Sequence, residues 1–192
     1  MTLLDASQTK PLEGGPSFSL GNRLARIAWM AAWLVLARFT PPPLHGWRRL
    51  VLRMFGARVG KGARVHASVA IWWPGNLELG EYALVGPGAR IYNQGHIAIG
   101  ARSVISQRAH LCASTHDIHD PDFQLVFRPI AIGKQCWVAA EAFVGPGVTM
   151  GDRAVLGARG VLFEDAEADG VYSGNPARLI KQRNLRPGRQ AG

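Results

Sequence analysis

Hydrophobic and polar positions recur every six residues from Val59 to Glu167, with three interruptions. In sixes the chain reads VGKGAR, VHASVA, IWWPGN, then LGEYAL, VGPGAR, IYNQGH, then IGARSV, ISQRAH, LCASTH. After a gap come IGKQCW, VAAEAF, VGPGVT, MGDRAV, LGARGV and LFEDAE. The first place of each unit is aliphatic or Met, and the fifth is small. A period of six matches neither the helical period of 3.6 nor plain strand alternation. It suits a short strand plus a corner. Places one and five share one side of an extended strand, so both point inward. Three strands per turn build a triangular prism around a column of Val, Ile and Leu, a repeat architecture in which each coil stacks on the last. Gly at the second place is expected to relieve corners that need unusual backbone angles.

The interruptions fit that frame. Each falls after the third unit of a coil, at 77–78, 97–98 and 117–131, so all lie along one edge. The segment 117–131 is polar at first, carries Pro121 and Pro129, and is expected to be an excursion from the prism rather than a further strand. The predicted fold is an all-β solenoid, a parallel β-helix of about five coils with an N-terminal helical segment and a long loop at 117–131. The divisions are a flexible N-terminus at 1–19, a helical segment at 20–58, the β-helix at 59–173 and a basic tail at 174–192.

Residues 21–39 read as a helix whose apolar run, Ile27 to Ala37, is too short to span a bilayer. Arg23, Arg26 and Arg38 flank it, and Trp29 and Trp33 lie one turn apart. The helix is expected to cap the open end of the prism, or to lie on a membrane surface with its Trp at the interface, or to do both. A second helix at 44–55 leads onto the first coil. The first 20 residues lack a hydrophobic run, which predicts a cytoplasmic protein. Cys112 and Cys136 make no disulfide framework. The net charge of +9 is concentrated towards the ends of the chain, with no helix-turn-helix or zinc spacing between the basic residues. It reads as a solvated surface with a basic rim for an anionic ligand, not as a nucleic-acid site.

The stretches IYNQGHIAIGARSVISQ (91–107), LCASTHDIHDP (111–121), IAIGKQCWVAAEAFVGPGV (130–148) and SGNPARLIKQR (173–183) together carry a resemblance. The chain resembles the left-handed β-helix, hexapeptide-repeat acetyltransferases, and within them the colanic acid and exopolysaccharide enzymes and the galactoside and maltose O-acetyltransferases. The resemblance implies a left-handed helix, acetyl-CoA as co-substrate, a sugar or oligosaccharide acceptor, and a homotrimer with each site between two prisms. It implies no metal. Trimeric β-helix carbonic anhydrases hold zinc with three His, but these four stretches match the acetyltransferases.

Acetyl transfer from a thioester to a hydroxyl needs a base, and an imidazole titrates near neutrality. His116 ends the third coil just before the excursion, at the place where the resembled enzymes carry that base. Asn93 and Gln94 stand where galactoside-type relatives hold the acceptor with acidic residues. Amides also bond sugar hydroxyls, so these two are candidate substrate contacts, as is Trp137. By the same resemblance, the main chain at Ala140 and Ala158 would contact the pantetheine arm, while Arg178 and Lys181 would meet the CoA phosphates, with Arg183 assisting. The expected function is O-acetylation of an exopolysaccharide intermediate by direct transfer. The alternative is a non-catalytic β-helix serving as a scaffold or a membrane-associated assembly subunit.

Overall fold

The computed structural model describes residues 3–184. Three parallel sheets wrap one aliphatic column. The first face comprises Arg58–Val59, Leu77–Leu79, Ile97–Ile99, Ile130–Ile132 and Thr149–Met150. The second begins at Arg64–Val65 and the third at Ala70–Ile71, and each gains one strand per coil. The registers follow the hexad. Val59 stands opposite Leu79, which stands opposite Ile99, and Ile71, Ile91 and Leu111 stack in the same way. The first residue of every unit is buried. At the fifth place the pattern fails only at the interrupted edge, where Gly75 is exposed and Thr115 half-buried.

Two expectations about the repeat are corrected. The second-place glycines do not supply unusual angles. A Cβ on Gly80 would lie 2.5 Å from the backbone N of Ala101, and one on Gly100 would lie 2.4 Å from the carbonyl oxygen of Gly133. The cause is therefore close approach of the next coil. The left-handed angles fall instead at the fourth place, and mostly on side-chain residues such as Tyr82, Arg102 and Gln135. The solenoid also runs for about six turns rather than five. Ala166 bridges to Met150, Gly170–Gly174 pairs parallel with Val155–Leu156, and Ala177–Gln182 folds back antiparallel on it. Tyr172 stands opposite Leu156, so this turn is 16 residues long (172 minus 156), two short of the regular coil. That shortening hides it from a six-residue frame. Part of the expected basic tail is thus a strand, and residues 185–192 lie outside the described residues.

The first coil has no neighbour beneath it. Its downward carbonyls are met by side chains of two helices that follow the short α1 (Ala6–Thr9): α2 (Leu20–Leu36) and α3 (His45–Met54). Arg53 Nε donates to Val59 O at 3.1 Å, Arg49 Nη1 to Ala63 O at 2.9 Å, Arg48 Nε to Val65 O at 2.7 Å, and Trp29 Nε1 to Ile71 O at 2.8 Å. Arg48 is fully buried. Its remaining N–H groups reach Thr40 Oγ1, Pro41 O and Pro42 O at 2.6–3.0 Å. These arginines, read from sequence as part of a solvated rim, complete a ladder instead, because buried carbonyls need donors. Trp29 and Trp33 are buried against the prism. The helix therefore caps, and no helix among the described residues is long and apolar enough to cross a membrane.

The 117–131 segment also departs from expectation. Leu125–Phe127 forms a strand antiparallel to Ser114–His116, since Leu-Val-Phe favours extended structure and Leu125 is buried. The stretch 3–18, expected to be flexible, packs against this excursion. Ala6 N donates to Gln124 Oε1 at 2.7 Å, Lys10 Nζ pairs with Asp122 at 3.3 Å, and the Phe18 ring stacks on Phe127 with centroids 6.3 Å apart. Long-range partners hold down a segment whose own sequence carries little structural signal.

Candidate active site

Where the interrupted edge meets the 3–18 segment, a polar cavity of about 440 Å³ opens. Its walls include Phe18, Arg26, Trp72, Tyr92, Gln94 and His116. His116 is the last residue of Ser114–His116 and is exposed. Its Nδ1 lies 2.6 Å from the carbonyl oxygen of Phe123. A carbonyl only accepts, so this contact assigns the proton to Nδ1 and leaves the lone pair on Nε2. The turn that presents the Phe123 carbonyl is tightly held. Phe123 has φ of 49°, and its N donates to Asp120 O at 2.9 Å. The side chains of Asp117 and Asp120 each accept from the backbone two residues on, at 2.9 and 2.8 Å. The excursion thus holds the carbonyl that meets His116 Nδ1.

The other sequence-derived candidates divide. Gln94 lines the cavity at 3% exposure. Its Nε2 donates to the Tyr92 hydroxyl at 3.0 Å, and its Oε1 is buried without a partner. Asn93 is fully buried and engaged elsewhere: its Oδ1 accepts from Trp72 N and Trp73 N at 3.1 and 3.2 Å, and its Nδ2 donates to Trp73 O. Asn93 therefore fastens a corner of the first coil, and of the two amides only Gln94 lines the cavity.

The CoA-side candidates sit on another edge. Ala140 and Ala158 occupy corners between the second and third faces in successive coils, where Arg159 N donates to Ala140 O at 2.9 Å. His116 lies between the third face and the first. Trp137, half-exposed on the second face, donates its Nε1 to Ser106 Oγ at 2.9 Å and opens onto a separate cavity of about 410 Å³. Arg183 lines that cavity and donates to Gln135 O and Arg153 O at 3.0 and 2.9 Å. Arg178 is paired with Glu164 at 3.2 Å, and Lys181 stands on the same final strand, opposite Val171. A single chain does not bring these residues to His116.

The chain matches no family model, so relatives carry the assignment. Over 166 residues, 86% of this chain and 91% of the relative, it is 43% identical to the putative colanic acid biosynthesis acetyltransferase WcaF of Escherichia coli. The chain belongs to the hexapeptide-repeat acetyltransferases. It is accordingly an acyltransferase, not a bare scaffold. Two solved structures share the fold of this acetyltransferase, a left-handed β-helix. A galactoside acetyltransferase in complex with coenzyme A superposes with a TM-score of 0.80 at 21% identity, over 94% of this chain and 92% of that one. A hexapeptide-repeat acetyltransferase from Vibrio cholerae complexed with acetyl coenzyme A gives 0.79 at 18% identity, over 95% and 100%.

Three cavity residues of the acetyltransferase escape sequence reasoning. Trp72 and Tyr92 directly follow the aliphatic first residues Ile71 and Ile91, one coil apart. Aromatic residues at the same place in stacked units were a usable signal, and their rings meet with centroids 4.8 Å apart. Arg26 gave no such signal. It reaches the site because α2 folds back beneath the third face, placing its guanidinium 3.3 Å from the Trp72 ring centroid.

Proposed function

We propose that this protein is an acetyl-CoA-dependent O-acetyltransferase that modifies a sugar hydroxyl of an exopolysaccharide intermediate, working in the cytoplasm, where its donor is made. His116 Nε2 takes the proton of the acceptor hydroxyl as its oxygen attacks the thioester carbonyl. The tetrahedral intermediate collapses, the C–S bond breaks, and the departing CoA sulfur receives the proton from the imidazolium. No covalent acetyl-enzyme intervenes. The observation that carries this reading is the 2.6 Å contact of His116 Nδ1 with Phe123 O, which leaves a basic nitrogen beside a polar cavity. Gln94 Oε1, buried and unpartnered there, accepts from a sugar hydroxyl.

The donor reaches this site from a second copy. Ala140 and Ala158, whose main chain would hold the pantetheine arm, lie on a different edge from His116. A homotrimer that sets one subunit's edge against its neighbour's joins the two halves, and Arg178, Lys181 and Trp137 then line the CoA path. The relatives solved with CoA and acetyl-CoA support the donor. The test is acetyl-CoA consumption with candidate sugars by wild type and His116→Ala. Loss of general-base catalysis lowers the rate about 10²- to 10⁴-fold. Equal consumption by both proteins would remove His116 as the base.

A further inference from the structure

A second cavity adjoins the first. Between α2 and the third face runs an apolar groove of about 730 Å³, within the roughly 300–1,000 Å³ usual for small-molecule sites. Ile27, Met30 and Leu34 form its outer wall and are 63%, 60% and 53% exposed. Ile71 and Ile91 line the prism side. The groove and the His116 cavity share three residues: Arg26, Trp72 and Tyr92. The two cavities thus adjoin across these side chains, apolar on one side and polar on the other.

The junction is built for an anion. Arg26 lies over the Trp72 ring, and its Nε is buried without a hydrogen-bond partner. Trp72 Nε1, a second donor, is likewise buried and unpartnered. Burial, the largest influence, lowers the Arg26 pKa, so a nearby negative charge would relieve the site. Arg38 and Arg90 line the groove, and Arg23 the polar cavity. No Asp or Glu occurs in the sequence between Glu13 and Glu78.

We infer that these adjoining cavities bind a phosphate-linked glycolipid acceptor, with its hydrocarbon arm in the groove under α2, its phosphate at Arg26 and its sugar at His116. The sugar end of this assignment rests on the acetyltransferase reading above. The lipid end does not. Neither half of such a ligand alone matches the two cavities: a free sugar leaves the apolar groove empty, and a nucleotide sugar places a polar base there.

The test uses the full-length protein and its own tryptophans, since Trp29, Trp33 and Trp72 border the groove. Geranylgeranyl diphosphate, geranylgeraniol and inorganic pyrophosphate are titrated separately, below any micelle threshold, with fluorescence as the readout. The prenyl diphosphate is expected to bind at least about tenfold tighter than either half, and Arg26→Gln to bring it down to the level of the alcohol. Ala31→Trp, which fills the groove from an exposed position, should weaken both prenyl probes and leave pyrophosphate binding unchanged. Val35→Trp, outside the groove and 76% exposed, should alter none of them and shows that a new Trp on α2 is tolerated. Equal affinity for pyrophosphate and prenyl diphosphate overturns the inference. So does binding seen only with phosphatidylglycerol vesicles, which would mean a lipid surface and not a lipid site. A change of oligomeric mass in Ala31→Trp, by light scattering, with no prenyl binding by wild type, would make the groove an interface between copies and sink it too. If wild type binds the prenyl diphosphate yet acetylates no sugar, the acetyltransfer reading fails and the lipid-phosphate site stands.

Discussion

At the end of the prism where the repeat begins, bare carbonyls are closed by side chains. At the other end, the chain closes on its own backbone. The contrast follows from the direction of the strands. In the first coil the N–H groups point up to the second, as Gly60 N does to Leu79 O at 2.7 Å, so the carbonyls are left below. Only donors can meet them, and α2 and α3 supply Trp29, Arg48, Arg49 and Arg53. At the far end the upward groups are N–H, and main-chain oxygens suffice: Gly157 N donates to Tyr172 O at 2.8 Å and Gly151 N to Ala166 O at 2.7 Å. Side-chain closure concentrates stability in a few residues, whereas backbone closure spreads it.

Substitutions at the two ends should therefore differ in cost. The largest effect belongs to Arg48→Met, which keeps an apolar stem but strips the donors from Pro41 O, Pro42 O and Thr40 Oγ1 and leaves Val65 O only the His45 ring. Stability should fall by about 3 kcal/mol, or roughly 6–12 °C in melting temperature. A drop below about 2 °C would break the comparison. At the other end, Tyr172→Phe removes one hydrogen bond, from Glu167 N at 3.0 Å, and should cost about 1 kcal/mol, read from the urea midpoint. A loss equal to that of Arg48→Met would show that the far end is also held by a single residue.

The smallest effect is a pH dependence strongest at the carbonyl end. Burial, the main cause, lowers the pKa of His45, with Arg48, Arg64 and His66 adding to the effect and the Val65 carbonyl opposing it. The folded state thus resists a proton that the unfolded chain accepts below about pH 6.5. The stability contributed by the neutral form is complete above that pH and declines as the solution is acidified. Hydrogen exchange at pH 7.5 and 5.5 should show α3 amides losing protection first, ahead of the final hairpin. His45→Gln, which removes the titrating ring while its amide can both accept from Arg48 and donate to Val65 O, should narrow the difference. His110 in the third coil is shifted the same way by burial and Arg90, so the difference should not vanish. Uniform loss along the chain would contradict an end-specific effect.

The hexad made the column from Val59 to Leu162 legible because each coil repeats one local rule. It also located His116, since that residue stands where the rule is suspended. Features that depend on what lies across the fold were hidden. Nothing local in Trp47-Arg48-Arg49 says that Arg48 is buried under a coil not yet reached in the sequence. Asn93 and Gln94 are adjacent and chemically alike, yet past the end of their strand, in the corner, one bonds the coil below and the other faces the cavity. The sixth turn was missed through a shortening of two residues, and the 3–18 segment because its partners lie more than a hundred residues away.

The cap at the carbonyl end has a bearing on how the chain is made. Translation delivers α2 and α3 before the first coil, so the donors that Val59, Ala63, Val65 and Ile71 need are already at hand when those residues leave the ribosome. Each later coil then meets a finished edge, and contacts reach back little more than one coil at a time. The exception is the site. The 3–18 segment must wait for Gln124 and Asp122, so the His116 cavity takes its final shape only after half the solenoid stands. Assembly is thus vectorial for the scaffold and delayed for the His116 cavity.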